Sequence, residues 1–111
     1  MLTFDTNKVI MAKHAQVLEV LTEVLNNQGW GKVEIHSNSC SLTAELLDAD
    51  QVSPKSFFVI IATCVPLSER TELFFSISTN NLEYAESARE RGDDIVRSAI
   101  ERLENEQYTD M

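Results

Sequence analysis

The sequence predicts an α+β fold: a four-stranded antiparallel meander flanked by an N-terminal and a C-terminal helix, in the order α-β-β-β-β-α. Three observations lead to it. Apolar residues recur at helical spacing near both ends, short segments alternate in the middle, and the stretch "SFFVIIATCV" is apolar at nearly every position. The 111 residues have room for a single domain over residues 1–111. Residues 105–111 show no apolar period and are expected to fray.

The first helix is predicted from a wide apolar stripe that follows three possible capping residues, Asp5, Thr6 and Asn7. "NNQG" is expected to end this helix, because Gly29 suits the left-handed position after a helix. Trp30 then follows at the junction with the first strand, where we expect it to plug the end of the core. The stripe consists of Ile10, Met11, Ala15, Val17, Leu18, Leu21, Val24 and Leu25.

Two alternating segments, "KVEIH" and "CSLTAEL", predict a hairpin with a two-residue turn in "SNSC". In this register Ile35 faces Leu42, and Lys32 lies opposite Glu45 as a favourable cross-strand pair. The competing interpretation of residues 41–51 is a helix, because alanine, glutamate and leucine are good helix formers.

The opening apolar stretch and "LFFSIST" predict the third and fourth strands, joined by a loop over Pro66–Arg70. Pairing Val59 with Ile77 places both on the face that the two helices cover. The opposite face then carries an exposed apolar patch, which commonly marks a dimer or partner interface. In the alternative arrangement the helices take opposite faces and the third strand is buried on both sides. The predicted patch consists of Phe58, Ile60 and Phe74.

The last helix begins with Asn80 as its cap and Glu83 three residues later, which is a capping-box arrangement. Gly92 lies on the apolar seam, and close approach of the helix to the sheet explains a glycine there better than a helix break at "RGDD". The seam consists of Leu82, Ala85, Ala88, Gly92, Ile95, Val96, Ala99 and Leu103.

The chain is acidic, with a net charge of −9 and a pI near 4.5. Such a charge opposes direct binding to nucleic acid and to anionic membranes, which require a basic surface. Carboxylates recur at helical spacing along the last helix, with arginines interleaved. Two interpretations are open, a solvated face and a docking face for a basic partner. The candidate docking residues are Glu83, Glu86, Glu90, Asp94 and Glu101.

The residues with reactive or metal-binding side chains, His14, His36, Cys40 and Cys64, show no paired spacing of a metal motif. In the predicted register the two cysteines point to opposite faces of the sheet. We therefore expect no metal, no cofactor and no catalytic centre. His14 is expected to be a satisfied core residue on the apolar stripe.

The function predicted first is a non-catalytic protein-binding module of the inhibitor or immunity type, which occludes a basic surface of its target. By size, charge and architecture alone it is comparable with phage or plasmid inhibitors such as anti-CRISPR proteins. One alternative is a homodimeric chaperone or adaptor that uses the apolar sheet face. The other is a small enzyme built on His14, His36 and Cys40. No targeting signal or membrane span is recognised, so a cytoplasmic location is expected.

Overall fold

A computed structural model describes residues 2–47 and 57–109, and these form a five-stranded antiparallel sheet and two helices. The sheet order is β1-β5-β4-β3-β2, so β1 and β2 are its edges. Both helices pack on one face of the sheet and share its core. The elements are β1 Leu2–Ile10, α1 His14–Asn27, β2 Gly31–His36, β3 Ser41–Leu47, β4 Phe57–Leu67, β5 Arg70–Thr79 and α2 Ala85–Thr109.

The prediction of a four-stranded meander with a leading helix is wrong, because the chain begins with a strand. Asp5, Thr6 and Asn7, the predicted helix caps, lie inside β1, and α1 begins at His14. β1 pairs with β5 along its whole length, from Leu2–Thr79 to Ile10–Thr71. Its polar residues are compatible with a strand because β1 is an edge with one solvated face.

The first predicted helix is confirmed for the part of the apolar stripe that follows His14. Val17, Leu18, Leu21, Val24 and Leu25 are buried, and α1 ends before Gly29, whose φ is +83°. The chain then enters the core at Trp30, which is 5% exposed, as the predicted plug.

The β2–β3 hairpin is confirmed with Ile35 opposite Leu42. The predicted position of Lys32 opposite Glu45 is wrong, because the register shifts and Gly31 lies opposite Glu45, but the ammonium of Lys32 still lies 3.4 Å from the Glu45 carboxylate. Residues 41–47 are a strand, whereas residues 48–51 lie outside the described part of the chain. The turn differs from the prediction. A short 3-10 segment, Ser37–Ser39, precedes Cys40, whose backbone is left-handed with φ +50°.

The predicted pairing of β4 with β5 is wrong by one residue. Ile77 lies opposite Ile60 rather than Val59, because both strands extend to a two-residue turn between Leu67 and Arg70. A one-residue slip moves every side chain of a strand to the other face. Phe58 and Ile60 therefore lie in the core at 1% and 0% exposure.

The predicted apolar patch on the outer sheet face thus retains only Phe74, which is 42% exposed. Among the exposed large apolar residues of β1 and β4, Val9, Ile61 and Val65 lie on the same face. The dimer expected through Phe58, Ile60 and Phe74 loses two of its three contacts, because a buried side chain cannot contact a partner.

α2 follows the predicted seam without a break at "RGDD", and Gly92 is buried against the sheet. The cap is displaced by one residue: the side chain of Asn81, not Asn80, accepts from the backbone N–H of Glu83. Leu82, assigned to the seam, is 77% exposed. The helical backbone continues to Thr109, through most of the tail that was expected to fray.

Candidate functional site

The space between α2 and the central strands β4 and β5 is filled by the protein's own side chains. Ile60, Phe75 and Ile77 on the sheet are at most 1% exposed, and Ile95 and Ala99 of α2 are fully buried opposite them. A ligand enclosed between sheet and helix would have to displace this core. Surface features are therefore the places to look for function.

The outer face of α2 carries the carboxylates that the sequence singled out, and the structure divides them into two sets. Glu86 pairs with Arg89 at 2.9 Å, and Asp94 pairs with Arg97 at 2.7 Å. Asp94 also accepts a hydrogen bond from the side-chain amide of Gln28, which ties the end of α1 to α2. These two carboxylates are already engaged within the chain.

The remaining two arginines of α2 are engaged as well. Arg102 reaches Glu23 of α1 at 2.6 Å, and the guanidinium of Arg91 lies 5.0 Å from the centroid of the Phe58 ring, a cation–π distance. All four arginines of the helix therefore contact groups of this chain. Among the side chains that the structure describes, which in α2 extend to Asn105, five carboxylates of α2 and its leading turn make no ion pair: Glu83, Glu90, Asp93, Glu101 and Glu104.

A cleft of about 370 Å³ lies between α1 and the β2–β3 turn, and its walls are mostly apolar. His14 and Cys40 both line it. His36 does not, because its ring bonds the Thr43 hydroxyl at 3.0 Å on the outer face of the sheet. Thus only two of the three residues considered for enzymatic chemistry come together. The lining consists of His14, Ala15, Leu18, Glu19, Thr22, Glu23, Ile35, Ser37 and Cys40.

The two cysteines are neighbours across the β3–β4 pair, contrary to the prediction that they occupy opposite faces. The backbone N–H of Cys64 donates to the carbonyl of Cys40 at 2.8 Å, and both residues pack against the core. Burial, followed by the nearby Cys40, raises the pKa of the Cys64 thiol to about 11. Cys64 is consequently a poor nucleophile at neutral pH.

We expect one thiol of the folded protein to react rapidly with Ellman's reagent at pH 8, and the second only after unfolding. Cys40 is half-buried, whereas Cys64 is 3% exposed and stays protonated. Cys40→Ser should abolish the fast phase. A fast phase that survives this substitution would contradict the assignment.

The raised pKa of Cys64 also makes stability depend on pH. The folded state holds the thiol proton more tightly, so this contribution is complete below the ordinary pKa of 9.0 and is lost as pH rises towards about 11. Between pH 8 and pH 10, the urea midpoint should fall further for the wild type than for Cys64→Val.

Among the described residues, no group of three or more histidine, cysteine, aspartate or glutamate side chains is arranged to hold a metal ion. Neither of the helices in that part of the chain combines the length and the apolar character needed to cross a membrane.

No protein-family model matches the sequence, and no curated protein matches it either. Solved structures do resemble the fold. Ara h 8.0201 has a TM-score of 0.66 at 7% identity, over 94% of this chain and 98% of that one. The di-domain ARO/CYC protein BexL from the BE-7585A biosynthetic pathway has a TM-score of 0.65 at 9% identity; 94% of this chain aligns with 47% of BexL.

The Zhui aromatase/cyclase from Streptomyces sp. R1128 is a further similar structure, with a TM-score of 0.52 at 14% identity over 93% of each chain. The architecture resembles the Bet v1-like helix-grip fold. Identities this low establish the fold alone, because one fold supports many unrelated functions.

Proposed function

We propose that this protein is a non-catalytic binding module that docks the acidic face of α2 on a basic surface of another protein and so blocks that surface. One observation carries the proposal. The arginines that interrupt the acidic face are all engaged within the chain, which leaves Glu83, Glu90 and Glu101 free to pair with a partner. Three of the four arginines are thus held in ion pairs, and Arg91, which contacts the Phe58 ring, is the remaining cation of this face.

Electrostatics of this kind acts mainly on the rate and specificity of association. A net charge of −9 steers a basic partner towards the protein, and complementary potentials raise the association rate constant above the value of uncharged pairs. Exposed charges are screened beyond about 8 Å at physiological ionic strength. Binding through this face should accordingly weaken as salt is added.

The test is quantitative cross-linking and capture from cells that naturally express the protein, at about 50 mM and about 300 mM salt. We expect a basic protein to be captured at low salt and to be lost when Glu83, Glu90 and Glu101 are all changed to lysine. A control with the same change in charge, Glu34, Glu69 and Glu72 to lysine, alters residues outside α2 and should retain the partner.

Either of two outcomes would overturn the proposal. In one, both triple variants capture the same proteins as the wild type at each salt concentration. In the other, both lose them equally, which would mean that net charge rather than the α2 face determines capture.

A second candidate function is binding of a small apolar molecule in the cleft between α1 and the β2–β3 turn. The cleft has about 370 Å³ of space, mostly apolar walls, and an imidazole and a thiol in its lining, those of His14 and Cys40. The aromatase/cyclases of similar fold give an enzymatic version of this candidate some support. Occupancy should slow the reaction of Cys40 with Ellman's reagent. Titration with 1-anilinonaphthalene-8-sulfonate tests this, and a reaction rate unchanged at saturation would exclude the candidate.

A further inference from the structure

We propose that the free edge of β1, together with the groove between β1 and α2, accepts an extended basic segment of a partner protein as an added strand. This inference rests on the proposed function, since it identifies how a basic partner would be held. It adds a backbone-mediated contact to the electrostatic attraction of the α2 face.

The edge of β1 is long and regular. β1 pairs with β5 over nine consecutive residues without a register shift, and within the described chain no strand lies on its other side. Its nine residues extend about 30 Å, and every second residue points both its N–H and its C=O away from β5. Unpaired groups of this kind form a template for another strand.

The opposite edge of the sheet is built differently. β2 has six residues, and its pairing with β3 shifts between Gly31 and Glu34, where Lys32 has a φ of +50°. A short edge with a bulge resists strand addition. β1 has neither a bulge nor a residue with positive φ, so the two edges are not equivalent.

A groove runs beside the free edge. Two adjoining pockets of about 450 and 440 Å³ lie between β1 and α2, and they share Thr6 and Asp93. An added strand would direct alternate side chains into this groove. Val96 and Ile100 provide apolar surface for the stems of long side chains, while Asp93 and Glu101 offer carboxylates for their ends.

The charges of the groove favour a basic occupant. Arg89 and Arg97 line it, but they are held by Glu86 and Asp94 on α2 itself. Asp93 and Glu101 make no ion pair within the described residues. Of the cations that line the groove in this part of the chain, Lys8 is the one without an ion pair. Lysine or arginine at alternate positions of the added strand would complement the two carboxylates.

A second copy of this chain fits the edge less well. It would bring another −9 of net charge, and its own β1, "LTFDTNKVI", offers one lysine. A partner segment that alternates basic and β-branched residues satisfies both the backbone edge and the groove. This is recognition by strand addition, in which main-chain hydrogen bonds give affinity and alternate side chains give specificity.

The experiment uses three capped octapeptides and the complete protein. One alternates lysine with valine, the second alternates glutamate with valine, and the third is the lysine peptide with N-methyl groups on alternate peptide bonds, on the side that would face β1. Fluorescence anisotropy gives the affinities, and residue-resolved hydrogen exchange gives the protection of each amide. We expect only the first peptide to bind well, and N-methylation to weaken it at least about tenfold.

On binding, alternate amides of β1 should exchange at least about tenfold more slowly, since they gain hydrogen-bond partners. Asp93→Asn with Glu101→Gln should weaken the lysine peptide about tenfold or more, whereas Glu83→Gln with Glu90→Gln should weaken it no more than about threefold. The second pair removes the same charge from the acidic face outside the groove.

The results separate this inference from the proposed function. If the N-methylated peptide binds equally well and β1 gains no protection, strand addition is wrong, while loss of partner capture on charge reversal of α2 would still support the proposed function. If the glutamate peptide bound as tightly as the lysine peptide, the inference that the occupant is basic would be wrong. Protection of β1 without peptide, with a doubled mass in light scattering, would assign the edge to a second copy and overturn the inference.

Discussion

Gly92→Ala is expected to destabilise the fold, although alanine is the better helix former by about 1 kcal/mol. A Cβ atom at position 92 would lie 2.9 Å from Cγ2 of Ile77, well inside the normal carbon–carbon contact distance of about 3.5–4.0 Å. Ile77 is itself fully packed at 1% exposure, so it has little freedom to move away. Overpacking of this kind costs about 1–3 kcal/mol. Leucine at position 92 should cost more than alanine.

The measurement is urea unfolding followed by circular dichroism, with two controls. Glu90→Ala and Glu90→Gly report helix propensity at an exposed position of α2. There the alanine variant should be more stable than the glycine variant by about 1 kcal/mol. Ile77→Ala removes Cγ2, so Gly92→Ala should be less costly in that background, a positive coupling in the double-mutant cycle. If Gly92→Ala stabilises the wild type by the full propensity difference, the helix does not approach the sheet as closely as this.

The glycine also shows what local sequence patterns can predict. An apolar seam interrupted by Gly92 requires close approach to a neighbour, and this is what the structure shows at Ile77. The β2–β3 pairing of Ile35 with Leu42 was predictable for a similar reason, because its two strands are adjacent in sequence and have clear alternation. In both cases, residues within one or two neighbouring elements determine the geometry.

β1 could not be recognised in the same way. Its partner β5 lies about 70 residues away, and its polar centre, Asp5 to Asn7, is typical of a helix cap when considered alone. Only the position of β1 at the sheet edge explains why a strand with so many polar residues is stable there. The free edge of β1 could therefore not be predicted from the sequence.

The register of β4 was unpredictable for a different reason. A strand that is apolar on both faces shows no alternation of apolar and polar residues that would identify its buried face. Its pairing register therefore depends on the turn. Here the turn is a tight one at Ser68, whose φ is +68°, a conformation that the residue type does not suggest. Because the turn is shorter than predicted, the register shifts by one residue and Phe58 lies in the core instead of on the outer face.

The acidic face was predictable as a set of residues, but its effective charge was not. Glu86 and Asp94 are neutralised by arginines one turn away, which sequence spacing permits. The engagement of Arg102 by Glu23 and of Arg91 by Phe58 depends on contacts between elements distant in sequence. Those two contacts decide which carboxylates remain for a partner.

Phe58→Ala is expected to have the largest effect on stability, about 3–5 kcal/mol, because it empties the centre of an aromatic cluster. The Phe58 ring contacts Trp30 edge-on at 6.5 Å between centroids and Tyr84 at 5.8 Å, and the Arg91 guanidinium lies over it at 5.0 Å. One side chain thus joins β4 to the end of α1 and to the start of α2. Such a loss is a large fraction of the about 5–15 kcal/mol by which native domains are stable.

Phe74→Ala provides the matched control, because it removes the same ring from the outer face of the sheet. Phe74 is 42% exposed, and its truncation should cost no more than about 1 kcal/mol. Aspartate makes the contrast sharper: Phe58→Asp should unfold the protein, whereas Phe74→Asp should leave a folded chain with an unchanged circular dichroism spectrum. A folded, monomeric Phe58→Asp variant would instead restore the register predicted from the sequence, with Phe58 on an exposed face, and would refute the core described here.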